Sequence, residues 1–318
     1  MKSYTEYPTR ILVTGGAGNV GSALVARLIQ DPNNFVIIVD NLSTGSYNKL
    51  PTQGKNWKFI KCDVNVYDDI MPVFLSYNID YVFHYAATVG VQRTLENPVR
   101  VLNDIEGIKN VLNLSKNTPV RRVFYSSSSE VYGEPVEFPQ NEETTPLNSK
   151  LPYAIVKNIG EAFLKSYKQE YNLDYTIFRF FNTYGPNQSQ DFVIAKFLKL
   201  ALKNEDITIY GDGSQSRTLC YIDDNIEATV NAFLSPEWEN TTINIGNNNE
   251  TTVLEIAHKI IEITQSTSKI VHLPALKEGD MTRRLPDISN MKTLLNDRPL
   301  VTLEDGIRKM IEKWSTNN

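Results

Sequence analysis

The stretch that most constrains this chain is a run of glycines set between a strand pattern and a helix pattern. Arg10-Ile11-Leu12-Val13-Thr14 is β-rich without polar alternation, as in a strand buried on both faces. Gly15-Gly16-Ala17-Gly18-Asn19-Val20-Gly21 follows, and Ser22-Ala23-Leu24-Val25-Ala26-Arg27-Leu28-Ile29 then reads as a helix. Glycines at 15, 18 and 21 let a pyrophosphate approach the backbone, while the helix N-terminus offers N–H groups and a positive dipole. The next strand, Phe35-Val36-Ile37-Ile38-Val39, ends in Asp40, about 20 residues beyond the glycines, where a carboxylate can accept from both ribose hydroxyls. That acid repels a 2′-phosphate, and Asn41-Leu42-Ser43 supplies no Arg in its place, so NAD is expected over NADP.

The same alternation continues. Trp57 to Val64 reads as a third strand whose terminal Asp63 could meet an adenine amine, and Tyr81-Val82-Phe83-His84-Tyr85-Ala86-Ala87 as a fourth. The two small residues leave room for a flat cofactor. After Pro98 a helical pattern runs through Val101, Leu102, Ile105, Ile108, Val111 and Leu112, and Arg122-Val123-Phe124-Tyr125-Ser126 is a fifth strand. Repeated strand–helix units imply a doubly wound parallel sheet, with ligands at the carboxyl ends of its strands. The glycine loop, Asp40, Asp63, Ala86 and the serines 126–129 all fall at such ends.

Tyr153 and Lys157 are four residues apart, so they project from one helix face. Pro152 suits the helix's first turn, with Asn148 or Ser149 as a cap. A free Tyr ionises near pH ~10, and a nearby ammonium favours its phenolate. Alone such a pair is ordinary surface. With Ser128 at a strand end and the glycine loop upstream, it reads as a proton-abstracting site.

At 318 residues the chain has room for one large domain or two modest ones. Its net charge of −5, with basic residues scattered, argues against nucleic acid. No apolar run approaches the ~20 residues of a membrane span, and Ile11-Leu12-Val13 is too short for a signal-peptide core. A cytoplasmic location without membrane partners is expected. Cys62 and Cys220, with His84, His258 and His272 far apart in sequence, offer neither a disulfide framework nor a metal site.

Further motifs occur in order: Ser127-Ser-Ser-Glu-Val-Tyr-Gly133, Arg179-Phe-Phe-Asn-Thr-Tyr-Gly-Pro186, Tyr210-Gly-Asp-Gly-Ser-Gln-Ser-Arg217 and Arg283-Arg-Leu-Pro-Asp-Ile288. With those above, the chain from about residue 10 to 310 resembles the extended short-chain dehydrogenase/reductases, in the nucleotide-sugar epimerase/dehydratase branch. The resemblance implies a Rossmann-type sheet with a smaller, interleaved C-terminal α/β domain. It divides the chain into 1–180 plus about 219–246 for NAD, and about 181–218 plus 247–318 for the nucleotide sugar.

By that resemblance Gly15, Gly18, Asn19, Val20, Asp40, Asn41, Ser43, Asp63, Val64, Ala86, Ala87, Tyr153 and Lys157 hold NAD. Ser128 and Tyr153 bind the hydroxyl that loses its proton, and Lys157 lowers the phenol's pKa. Glu130 joins them among the catalytic residues, and Asn103 orders the active-site helix. Asn182, Val193, Lys196, Arg217 and Arg284 meet the nucleotide-diphosphate sugar. Asn19 stands where the family usually has an aromatic, and Val156 where it often has Ser. A homodimer or higher homo-oligomer is also implied, through helices around 99–117 and 153–171.

The implied first step is hydride transfer from sugar C4 to NAD⁺, and the fate of the 4-keto sugar defines the enzyme. Return of the hydride to the other face, a 4-epimerase, is the leading expectation. Release of the ketone by a C4 dehydrogenase and decarboxylation of a hexuronate are the alternatives. Ser129 replaces the Asp that dehydratases use, which disfavours elimination, and Ala-Ile-Val at 154–156 lacks the acidic segment typical of the decarboxylases. A catalytically silent binding protein would have little reason to keep Ser128, Tyr153 and Lys157 together.

Overall fold

Strands that are apolar on both sides need helices on both sides, and the chain supplies them in alternation. The computed structural model describes residues 6–274 and 283–316. Its first half runs β1 (Thr9–Thr14), α1 (Asn19–Leu28), β2 (Asn34–Asp40), β3 (Trp57–Lys61), α2 (Tyr67–Tyr77), β4 (Tyr81–His84), α3 (Val91–Glu96), α4 (Pro98–Leu102), α5 (Asp104–Lys116), β5 (Arg122–Ser128), α6 (Pro152–Tyr171) and β6 (Asp174–Phe180). The second half holds β7 (Thr183–Tyr184), α7 (Val193–Leu202), β8 (Ile207–Tyr210), β9 (Ser216–Thr218), β10 (Cys220–Tyr221), α8 (Ile222–Leu234), β11 (Thr241–Ile245), β12 (Glu250–Thr252), α9 (Val253–Thr264), β13 (Ile270–Leu273), α10 (Ser289–Leu294) and α11 (Leu303–Ser315).

Seven strands form one parallel sheet in the order β11-β6-β5-β4-β1-β2-β3. Because side chains alternate along a strand, β1 feeds two cores. Ile11 and Val13 pack with Leu24, Val25 and Leu28 of α1, while Leu12 packs with Ile70 and Val73 of α2 and Val111 of α5. The chain leaves this sheet after β6, forms the short pairs β10–β7, β12–β9 and β13–β8, and rejoins it once with β11. Among the described residues no helix is long and apolar enough to cross a membrane.

Three local expectations need correction. The pattern after Pro98 is two helices, because the α-helix is interrupted at Asn103, and the break turns Leu102 outward to 40% exposure. Asn148 and Ser149 do not cap α6. The Asn148 amide and the Ser149 hydroxyl donate instead to the carbonyl of Val131, and α6 starts from Leu151 with Pro152 in its first turn. The fifth strand, expected to end at Ser126, runs on to Ser128, and Ser129 opens a 3₁₀ turn, Ser129–Tyr132, capped by Ser128 Oγ. Part of the segment containing Arg283 and Arg284, residues 278–282, lies outside the described residues.

Candidate active site

The glycine loop closes against the end of β4. Gly15 has φ +68°, a left-handed conformation, and a Cβ there would lie 2.7 Å from the Ala86 nitrogen. Helix α1 then begins at Gly18 with no side-chain cap and no acid in its first turn, so its N–H groups face the cleft undiverted. Asp40 is held by the backbone: its Oδ2 accepts from the Ala17 N–H at 3.0 Å and its Oδ1 from the Leu42 N–H at 2.7 Å. Asn41 donates to Asp63 at 3.0 Å. Thr14 Oγ1 accepts from the Tyr85 and Ala86 N–H groups and so fixes the strand end carrying Ala86 and Ala87.

These ends line one cleft of about 690 Å³. Of the residues expected to touch cofactor or substrate, Gly15, Gly18, Asn19, Val20, Asp40, Asn41, Ser43, Asp63, Val64, Ala86, Ala87, Ser128, Glu130, Tyr153, Lys157, Asn182, Val193, Arg217 and Arg284 all line it. Lys196 does not. It lies one turn further along α7, with its ammonium 5.7 Å from the centre of the Tyr210 ring.

At the reacting end, the ammonium of the buried Lys157 donates to the Ser126 carbonyl at 2.6 Å and to Ser126 Oγ at 3.4 Å. Burial pulls its pKa down to about 8, against the opposing pull of Asp104. The Tyr153 phenol is raised above its ordinary value, by burial first and then by Glu130. Ser128 and Arg284 act to lower it, and Asp104 to raise it. Lys157 is not among the groups that set this balance. The ammonium lies 5.8 Å from the Tyr153 ring centre and is engaged with Ser126, so burial and Glu130 dominate.

Arg284 crosses from the C-terminal segment into this site, 2.6 Å from Glu130 and donating to Ser129 Oγ at 3.0 Å. Its neighbour Arg283 faces outward, paired with Glu250 and stacked on Phe138. Asn182 offers a buried side-chain nitrogen without a protein partner in the cleft wall, a donor suited to a phosphate or sugar oxygen. At the mouth, Arg93 of α3 donates to Asp191 at 2.9 Å, bridging the two walls.

Sequence reasoning missed Asp104, Arg93, Lys49 and Thr88, all of which line the cleft. Asn103, expected to order the active-site helix, also lines the cleft, with its side chain exposed. The next residue, Asp104, accepts from the Thr88 N–H at 2.6 Å. A second omission, Glu161, follows Tyr153 and Lys157 at the same four-residue spacing, and that spacing could have identified it. Its buried carboxylate accepts from Ser127 at 2.5 Å and from Arg179 at 3.0 and 2.7 Å.

A glycine cradle open to a pyrophosphate, an acid at the ribose position and a Ser–Tyr–Lys set on the same cleft fit a bound dinucleotide. The sequence matches the profile of the NAD dependent epimerase/dehydratase family over residues 11–246. It is 35% identical over 315 residues to the putative UDP-glucose 4-epimerase of Methanocaldococcus jannaschii, covering 97% of this chain and 99% of that protein. It is 33% identical over 315 residues to UDP-glucuronic acid decarboxylase 1 of Danio rerio, covering 96% and 72%. The crystal structure of UDP-glucose 4-epimerase from Thermotoga maritima with UDP-glucose superposes with a TM-score of 0.90 at 33% identity, covering 97% of this chain and 99% of that one.

Proposed function

This chain belongs to the NAD dependent epimerase/dehydratase family and is an NAD-dependent enzyme, and from that premise we propose that it is a 4-epimerase acting on a UDP-linked sugar. The observation that carries the reading is the meeting of Ser128, Tyr153 and Lys157 in the cleft that also presents the glycine loop and Asp40.

When bound, NAD⁺ supplies a hydride acceptor and a cationic ring. Ser128 and Tyr153 receive the C4 hydroxyl. Tyr153 takes its proton and holds it on the phenol oxygen until the ketone is reduced again. To take that proton Tyr153 meets the hydroxyl as phenolate; burial in the protein alone favours the phenol, and the cationic ring of bound NAD⁺ would supply positive charge that favours the phenolate. Lys157, anchored on Ser126, fixes the helix face that carries Tyr153. The unit 1–180 plus 219–246 holds the cofactor and 181–218 plus 247–318 the nucleotide end, where Asn182 and Arg217 meet the diphosphate. A homodimer through α4, α5 and α6 is part of the same reading.

One observation favours a second reading, decarboxylation of a nucleotide hexuronate. Arg284 is a buried cation whose carboxylate partner, Glu130, could be exchanged for a sugar carboxylate. Against it, the Arg284–Glu130 pair is already charge-balanced, which suits an uncharged C6.

The test is incubation of the holoenzyme with UDP-, GDP- and dTDP-hexoses and with UDP-hexuronates, following products by NMR and the reduced cofactor by absorbance. Interconversion of C4 epimers with no accumulating NADH is expected. Release of CO₂ from a hexuronate, with no epimer from any hexose, overturns the first reading in favour of the second.

A further inference from the structure

Asp104 is the carboxylate that recurs around the reacting groups. It sits at the start of α5, half-buried in the cleft wall. Its Oδ2 accepts from the Thr88 N–H at 2.6 Å, and its Oδ1 lies 3.4 Å from both Thr88 Oγ1 and Asn65 Nδ2. Thr88 follows Ala86 and Ala87, so these bonds tie the carboxylate to the strand end expected to face the flat cofactor. Behind burial, its charge is the one that acts on Lys157, and it acts more weakly on Tyr153, after Glu130 and Ser128. Lys157 has only the uncharged oxygens of Ser126 as its hydrogen-bond acceptors here. Of the other acids at this end, Glu130 is paired with Arg284, and Glu161 with Arg179 and Ser127.

We propose that Asp104 is a positioning residue for the redox balance: its carboxylate, held by Thr88 and Asn65, favours the oxidised form of the bound nicotinamide and thereby return of the hydride to the sugar. The inference rests on the C4-oxidation reading for its role and on NAD binding alone for its test. In the forward step a hydride, two electrons with one hydrogen, leaves sugar C4, and the hydroxyl proton passes to Tyr153. A bound nicotinamide would take up that hydride and with it lose its positive charge. In the return step the hydride would go back to C4 and the Tyr153 proton to the oxygen, restoring the cationic ring. The hydride can move only over a short distance, with reacting atoms about 3–3.5 Å apart. A bound ring would have to lie close to the substrate carbon served by Tyr153, in the cleft whose wall holds Asp104 and Thr88. A fixed negative charge in a water-poor cleft stabilises the cationic ring over the neutral one. Such a bias keeps the ketone transient, as a closed epimerisation cycle needs, and opposes net release of NADH.

The experiment uses holoenzyme without any sugar, equilibrated with a soluble two-electron redox couple while the absorbance of bound NADH is read. Asp104→Asn keeps an acceptor for Thr88 and removes the charge. It is expected to raise the ratio of bound NADH to NAD⁺ at a fixed potential about 10-fold, an increase of about 30 mV in the bound couple. Asp104→Glu is expected to stay near the wild type, and Asp104→Ser to follow Asn. The comparison is read on whichever uncharged variant retains the wild-type circular dichroism. A ratio within twofold of the wild type in the uncharged variant overturns the proposal, as does an equal shift in Asn and Glu. Failure of sugar turnover bears on the 4-epimerase reading and leaves this measurement standing.

Discussion

The Arg284 guanidinium lies 2.6 Å from the Glu130 carboxylate, joining the C-terminal segment to the turn after β5 directly beside Tyr153. The pair sets opposing fields on the phenol, Glu130 raising its pKa and Arg284 lowering it. Glu130→Gln should therefore lower the phenol's pKa and move the acid limb of the kcat/KM profile to lower pH, while Arg284→Gln should move it to higher pH. Limbs moving in the same direction would show that the pair acts through structure and not through charge.

Tyr153→Phe removes the proton acceptor and little else, since the ring stays packed. Loss of general-base catalysis should cut kcat by about 10²–10⁴ while substrate and cofactor affinity change only a few-fold. Retained NAD with lost turnover is the expected result. Turnover of every accepted sugar at the wild-type rate would remove Tyr153 from the mechanism.

Glu161 and Arg179 form a buried pair, 1% and 2% exposed, at 2.7 Å. Arg179 also donates to Tyr132 Oη at 2.8 Å, and Tyr132 in turn donates to Asn244. The network thus braces α6, which carries Tyr153 and Lys157, against the strands beneath it. Glu161→Leu leaves Arg179 charged and unpaired and should cost about 3–5 kcal/mol in urea unfolding. Glu161→Leu with Arg179→Met should recover a large part of that loss. Equal costs for the single and double variants would contradict a pairwise role.

The sheet and the glycine loop were legible because period, spacing and strand ends all agreed from residue 10 to 128. The residues overlooked, Asp104, Arg93 and Glu161, have roles set by partners distant in sequence: Thr88, Asp191 and Arg179. No local period marks an acid as facing a lysine on another helix. The net balance on the Tyr153 phenol was not legible for a related reason. Helical spacing places Lys157 near the phenol, but the ammonium's direction depends on the Ser126 carbonyl, and the burial that raises the phenol is a property of the assembled cleft. Helical spacing puts Lys196 on the same face as Val193, and only the assembled structure shows its ammonium beside the Tyr210 ring.

His84 ties stability to pH. Its Nδ1 lies 2.9 Å from Thr14 Oγ1, which already accepts the Tyr85 and Ala86 N–H groups, so the Thr14 hydrogen points to Nδ1 and the ring is neutral. Burial and then the Lys157 charge hold its pKa down to about 3. An unfolded His titrates near 6.5. Between these values the unfolded chain carries a proton that the folded one refuses. The stabilisation is thus complete above about pH 6.5 and is lost as pH falls toward 3, by at most about 5 kcal/mol. His84→Asn keeps a polar partner for Thr14 but cannot titrate, so its urea midpoint should fall less between pH 7 and 4 than that of the wild type. Parallel declines in the two proteins would assign the acid sensitivity to carboxylates elsewhere.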